Sequence, residues 1–396
     1  MRNASLVVAI VVLVAAAWAW SVQDNAAPAA PATPDAKAAA AAPAAQRVSD
    51  KHIDLVICLD TSNSMDGLIE SAKQKLWAVV NELATARPRP NLRVALYQYG
   101  NDGLSAETGW VQQLCPLTDD LDSVYAKLFP LRTNGGTEFV ARVVRSAVDD
   151  LNWNMAKDTL RVIYVAGNEP ATQDKKFDLQ DICKAAASKG IIVNTIFCGG
   201  VEEGRRTGWQ DAATWADGQY ASIDQNSGTV VVATQYDKKL AELGAKLNTT
   251  YVAYGKAGAH GAAQQTAMDN NAGKMNAPAA AERAVAKSTV LYRNAGWDLV
   301  DAAKDGKVEL DKIPEKDLPE NMRKMTVGER KQYVAEQAKS RAGIQAEIKD
   351  VSAKRDVEVK QKMAEQGLDE SKSMDSAVRA SIRAQAQKKD FKFEQK

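Results

Sequence analysis

Asp60, Ser62 and Ser64 are alternate members of the run Asp60-Thr61-Ser62-Asn63-Ser64. Alternate positions of one loop can aim a carboxylate and two hydroxyls at a common point. A hard cation such as Mg²⁺ or Mn²⁺ takes small oxygen ligands in an octahedron and gives up its waters reluctantly, so one charge and several neutral oxygens suit it. The same residue types also cap helices by accepting backbone N–H bonds, and the spelling alone leaves both roles open. Other chemistry has little material. The two histidines, His52 and His260, lie in different segments, and there is no Gly-x-Ser-x-Gly elbow and no Walker loop. A binding protein is expected, not an enzyme.

Placement gives the loop its weight. Ile53 to Leu59 is almost continuously apolar, as in a central strand covered on both faces. Leu68, Ala72, Leu76, Val79 and Leu83 then recur at helical spacing. The loop therefore joins the carboxyl end of a parallel strand to a helix, where open α/β sheets bind ligands. Further strands are predicted at Leu92 to Tyr99, Trp110 to Leu114, Leu160 to Ala166 and Ile191 to Phe197, with weaker ones at Tyr220 to Ile223 and Thr229 to Val232. Helices are predicted around Val140 to Leu151, at Ile182 to Lys189 before Gly190, and at Lys238 to Leu247. The alternation predicts a three-layer, Rossmann-like α/β sandwich with a mainly parallel central sheet over residues 51–255.

The flanks differ in character. Arg2 followed by an apolar run from Ala4 to Trp20 marks residues 1–22 as a secretory signal or an uncleaved membrane anchor. Residues 23–50 are rich in Ala and Pro and read as an extended linker. The domain is thus expected outside the cytoplasm, in the periplasm or cell envelope. Residues 256–285, rich in Ala, Gly, Gln and Asn, read as a second linker, with partial helix left open, and 286–396 as a helical C-terminal region. There Thr326 and Glu329 make a capping-box pair, Gly367 is a stop, and Met374, Val378 and Ile382 share one side of a last helix. These thin stripes either pack on the first domain or meet a partner helix in a coiled coil, so the tail can self-associate.

The 51 basic and 50 acidic residues nearly cancel, so no global charge points to nucleic acid or to an acidic membrane surface. The four cysteines lack zinc-site spacing. Cys58 is simplest as core. Cys183, early in a helix, and Cys198, ending the next strand, fall at one edge of the sheet, either bridged or as separate buried thiols.

The segment Asp60-Thr61-Ser62-Asn63-Ser64-Met65 resembles the metal-ion-dependent adhesion site (MIDAS) loop of von Willebrand factor A (VWA) domains, and Asn134-Gly135-Gly136-Thr137 resembles that family's glycine-plus-threonine loop. The resemblance spans roughly residues 51–255. It implies that Ser62, Ser64 and Thr137 contact a divalent cation directly, that acidic side chains act through water, and that a carboxylate of a protein partner completes the shell. The departure lies at Ala166-Gly167-Asn168-Glu169-Pro170, where Asn168 stands in place of the family's usual aspartate. Its carbonyl can orient a metal-bound water but brings no charge. Glu169 is a substitute if the backbone shifts slightly, and Glu138 and Asp66 add nearby charge. Trp209 and Trp215 either wall the crevice or pack in the core, and Thr133 either acts through water or caps a turn. The competing function is a metal-free scaffold whose helical tail binds the partner.

Overall fold

The computed structural model describes residues 51–223, 230–368 and 374–394. The predicted signal or anchor and the Ala/Pro-rich linker lie outside the described residues.

Nine buried or half-buried residues form β1 (His52–Asp60), followed by α1 (Asp66–Leu83), the short β2 (Ala86–Arg87), β3 (Asn91–Tyr99) and β4 (Val111–Thr118). Next come α2 (Leu121–Leu128), α3 (Val140–Asp150), β5 (Leu160–Gly167), α4 (Leu179–Ser188) and β6 (Ile191–Cys198). Two short helices, α5 (Val201–Arg206) and α6 (Trp209–Trp215), lead to β7 (Tyr220–Ile223). The sheet order is β4-β3-β1-β5-β6-β7. Every pairing is parallel except β3 with the edge strand β4. β1 is central, with β3 and β5 on either side, and it is buried on both faces as its almost continuous apolar run requires.

One face of the sheet carries α1 and α2; Leu68, Ala72, Leu76, Val79 and Leu83 of α1 form the buried stripe expected from their spacing. The other face carries α3, α4 and α6, with Val140, Val143, Val144 and Ala147 packed on Val56, Cys58 and Val165. The architecture is the α/β sandwich with a mainly parallel sheet and a helical C-terminal region that the sequence predicts.

Two expectations change beyond β7. Val230 to Val232 form no strand, and Thr229 lies outside the described residues. The segment read as a linker over 256–285 is instead two helices, α8 (Gly258–Met275) and α9 (Ala277–Ser288), following α7 (Asp237–Asn248). Small residues explain why the apolar period was faint. A methyl added to Gly244 of α7 would lie 2.8 Å from the Ala284 Cβ of α9, so the helices approach on glycine and alanine instead of large side chains.

After α10 (Leu299–Lys304) and α11 (Glu320–Arg323) comes α12 (Val327–Gln366), a helix of 40 residues that opens on the Thr326–Glu329 capping box and ends at Gly367 with φ 61°. Ile344, Ile348 and Val351 of α12 bury against α7 and α9. The chain then returns to the sandwich. Met374, Val378 and Ile382 of α13 (Met374–Gln387) join the core formed by α1, α2 and the sheet. The Tyr164 hydroxyl of β5 meets Ser381 Oγ at 2.8 Å, and β8 (Lys392–Phe393) pairs with β2. Helices α7 to α12 are therefore inserted between the last sheet strand and the last helix of the sandwich. No helix among the described residues is long and apolar enough to cross a membrane.

Candidate functional site

Asp60 is the last residue of β1, paired in register with Tyr99. The chain turns there because Thr61 faces away, its N–H and hydroxyl both bonded to the Tyr99 carbonyl at 2.8 and 3.1 Å. Ser62 is extended (φ −68°, ψ 166°), and Asn63 to Met65 form one 3₁₀ turn leading into α1. Asp60 Oδ1 accepts the Ser62 N–H at 2.8 Å, and the Ser62 and Ser64 hydroxyls stand 3.4 Å apart. Asn168, just past β5, puts its amide Nδ2 3.0 Å and its Oδ1 3.3 Å from Ser64 Oγ. Four of the five expected site residues are thus gathered at the carboxyl ends of β1 and β5.

Thr137 comes from a different loop, held by the Asn134 N–H donating to the Thr61 carbonyl at 3.0 Å. That loop packs closely on Gly100. A methyl on Gly136 (φ 144°) would lie 1.6 Å from the Gly100 carbonyl oxygen, so only glycine fits. The Thr137 side chain is half-buried and, among the described residues, makes no hydrogen bond to Ser62, Asp60 or Asn168. Thr133 is engaged elsewhere: its hydroxyl donates to Asp66 at 2.5 Å.

The electrostatics are unusual for a loop. Asp60 is fully buried, and its Oδ2 has no hydrogen-bond donor. Burial pushes its carboxyl up from 3.8 to about 8, against the Ser62 hydrogen bonds and with the help of Glu138 and Glu169. Burial likewise raises the Glu138 carboxyl, with Glu169 adding to it and Ser62 opposing. Tyr99 is raised well above 10, first by burial and then by Asp60.

An isolated buried carboxylate oxygen is costly unless something positive reaches it. Two gathered hydroxyls, an amide carbonyl and one carboxylate with a free lone pair, with the Thr137 hydroxyl on the neighbouring loop, make a donor set that fits a hard divalent cation. Among the described residues no group of three or more His, Cys, Asp or Glu side chains is arranged to hold a metal ion.

Residues 54–208 match the sequence profile of the von Willebrand factor type A domain. The chain carries a VWA domain. No curated protein matches the chain. Among solved structures, the SpRpn10 VWA domain is 18% identical with a TM-score of 0.35, and the likeness covers 46% of this chain and 99% of that one. Proximal thread matrix protein 1 from the mussel byssus, "with zinc occupied MIDAS motif", is 10% identical with a TM-score of 0.35, over 45% of this chain and 43% of that one. A von Willebrand factor type A protein from Catenulispora acidiphila is 15% identical with a TM-score of 0.33, over 44% of this chain and 38% of that one. The chain thus spans less than half the length of the latter two.

Around the VWA site, several residues take the second of their two sequence readings. Trp209 is core, fully buried against Phe197, and its Nε1 donates to the Glu169 carbonyl at 2.8 Å. Trp215 packs half-buried on the same core. Glu169 has its carbonyl held by Trp209 and its side chain exposed. All four cysteines are buried free thiols. Cys183 lies in the core under α3 and α4, and Cys198 in the core under α1, so the sheet stands between them. The residue that the sequence undervalues is Glu138, buried beside Thr137. Its signal was only its adjacency to the threonine.

Proposed function

We propose that this chain is an extracytoplasmic binding protein whose VWA domain recognises a protein ligand through a divalent cation, Mg²⁺ or Mn²⁺. The carrying observation is Asp60 Oδ2, a buried carboxylate oxygen with no donor beside a cluster of hydroxyls. Ser62, Ser64 and Thr137 would hold the cation directly, and Asp60 and Asn168 through bridging water. A bound cation supplies an electron-poor centre that accepts a carboxylate of the partner. Binding, with no bond making, suits the residues present: His52 begins β1, at the far end from Asp60, and His260 lies on α8. Arg2, the apolar run and the Ala/Pro-rich segment support export and allow an N-terminal anchor in the membrane.

One observation favours the scaffold reading. The Asn168 amide already occupies the Ser64 hydroxyl, as in a loop that has closed on itself. Calorimetric titration of the full chain with Mg²⁺ and Mn²⁺, alongside Asp60→Ala, separates the two. Saturable binding lost in the variant supports the metal reading; no metal-dependent heat or stabilisation at millimolar concentration in either protein leaves the scaffold whose helices bind the partner. Export is checked separately by a reporter fused at Ala45 that is active only outside the cytoplasm. An inactive reporter overturns that part.

A further inference from the structure

We infer that Glu138 supplies the second negative charge of the metal site, taking over from the loop after β5 the charge that Asn168 lacks. The inference rests on the metal reading of the site. Asn168 reaches Ser64 with a neutral amide, so of the residues matching the family's motif only Asp60 brings a charge. A divalent cation facing one carboxylate keeps a net positive charge in a buried place, where that charge is poorly solvated.

Geometry selects Glu138 over the other acids. The Cβ position of Gly100 is 2.7 Å from Asp60 Oδ1 and 2.8 Å from Glu138 Cγ, so the two acidic side chains flank one glycine and nothing larger separates them. A side chain on residue 100 would collide with both. Glu138 is buried, follows Thr137 directly, and is held by its own backbone, whose carbonyl accepts from Gln173 Nε2. Among the described residues no ion pair to Lys or Arg draws its carboxylate away, in contrast to Asp174 nearby, which is bound to Arg142 at 2.7 Å. Glu169 and Asp66 are poorer candidates. Glu169 is exposed, and Asp66 already accepts the Thr133 hydroxyl. Two carboxylates brought into one buried corner repel each other, and a doubly charged ion between them relieves that repulsion.

The consequence is a site that holds its cation without help from a partner. Charge has moved from one loop to another, while the hydroxyl set has stayed. The test is calorimetric titration of Mn²⁺ and Mg²⁺ into the full chain and four variants: Glu138→Gln, Glu169→Gln, Asn168→Asp, and Glu138→Gln combined with Asn168→Asp. Glu138→Gln keeps size and shape, and circular dichroism confirms that each variant is folded. The inference expects Glu138→Gln to weaken the cation at least about tenfold, Glu169→Gln to change it by less than about threefold, and the added Asn168→Asp change to restore it in the combined variant. Glu138→Gln binding like the parent overturns the inference. So does a loss that Asn168→Asp fails to restore, because the glutamate then acts through the shape of the loop. A parent that takes up no metal fails at the earlier step, and the metal reading falls with the inference.

Discussion

Asp60→Asn is the most informative single change, because the two roles open to this residue predict opposite signs. At pH 7 without metal, an acid raised from 3.8 to about 8 on folding costs roughly 4 kcal/mol. Asparagine removes that cost but leaves a buried amide N–H group short of a partner, roughly 1–3 kcal/mol. The net expectation in chelator is a variant more stable than its parent by about 1–3 kcal/mol, several degrees in Tm. The sign with pH follows. A carboxyl raised on folding binds its proton more tightly in the folded state, so the parent gains stability as pH falls from about 8 towards 4, and Asp60→Asn lacks this slope. Adding Mg²⁺ or Mn²⁺ should stabilise the parent and not the variant, reversing their order. Urea unfolding in chelator and in metal, at pH 6 and pH 8, reads all of this. If Asp60→Asn is less stable than its parent in chelator, the bond from the Ser62 N–H outweighs the buried charge and the aspartate is a structural cap.

Removing residues 374–396 should abolish soluble expression of the domain. Met374, Val378, Ile382 and Phe391 each bury roughly 1.5–3 kcal/mol of apolar side chain on the sandwich, which together rivals the whole stability of a typical domain; a soluble truncated chain with a cooperative melt would count against this. Asp122→Ala should cost about 2–4 kcal/mol in urea unfolding, since it leaves the buried Arg283, bonded at 2.5 Å across the α2–α9 contact, with only Asp269 at 2.8 Å as a carboxylate partner, and leaves the Tyr292 hydroxyl without its acceptor. The four cysteines should resist a thiol reagent at pH 8 in the folded protein and all react in denaturant, because burial raises each thiol above its usual value of 9; fast labelling of the native chain would contradict the packing.

The sequence by itself determined whatever is written in neighbouring residues. The apolar run of β1 could only be a strand covered on both faces, the stripe of α1 could only face that sheet, and Asp60, Ser62 and Ser64 alternate along one short loop between them. The start of α12 was legible for the same reason, because a capping box is complete within four residues. Tertiary structure decided what depends on surfaces meeting from far apart. That α13 closes the sandwich across an inserted group of helices follows from shape and apolar area, which Met374, Val378 and Ile382 present without naming their partner. The place of α9 was hidden because it packs on α7 by close approach of Gly244 and Ala284, where the usual large apolar repeat is missing. Cys183 and Cys198 share an edge in the sequence pattern, yet the sheet separates them, because adjacent elements can bury their thiols on opposite faces. Glu138 and Asp60 are 78 positions apart in the chain, and only the tight seat of Gly136 on Gly100 brings their carboxylates to one corner. Charge acts through space, and a linear pattern carries no record of that distance.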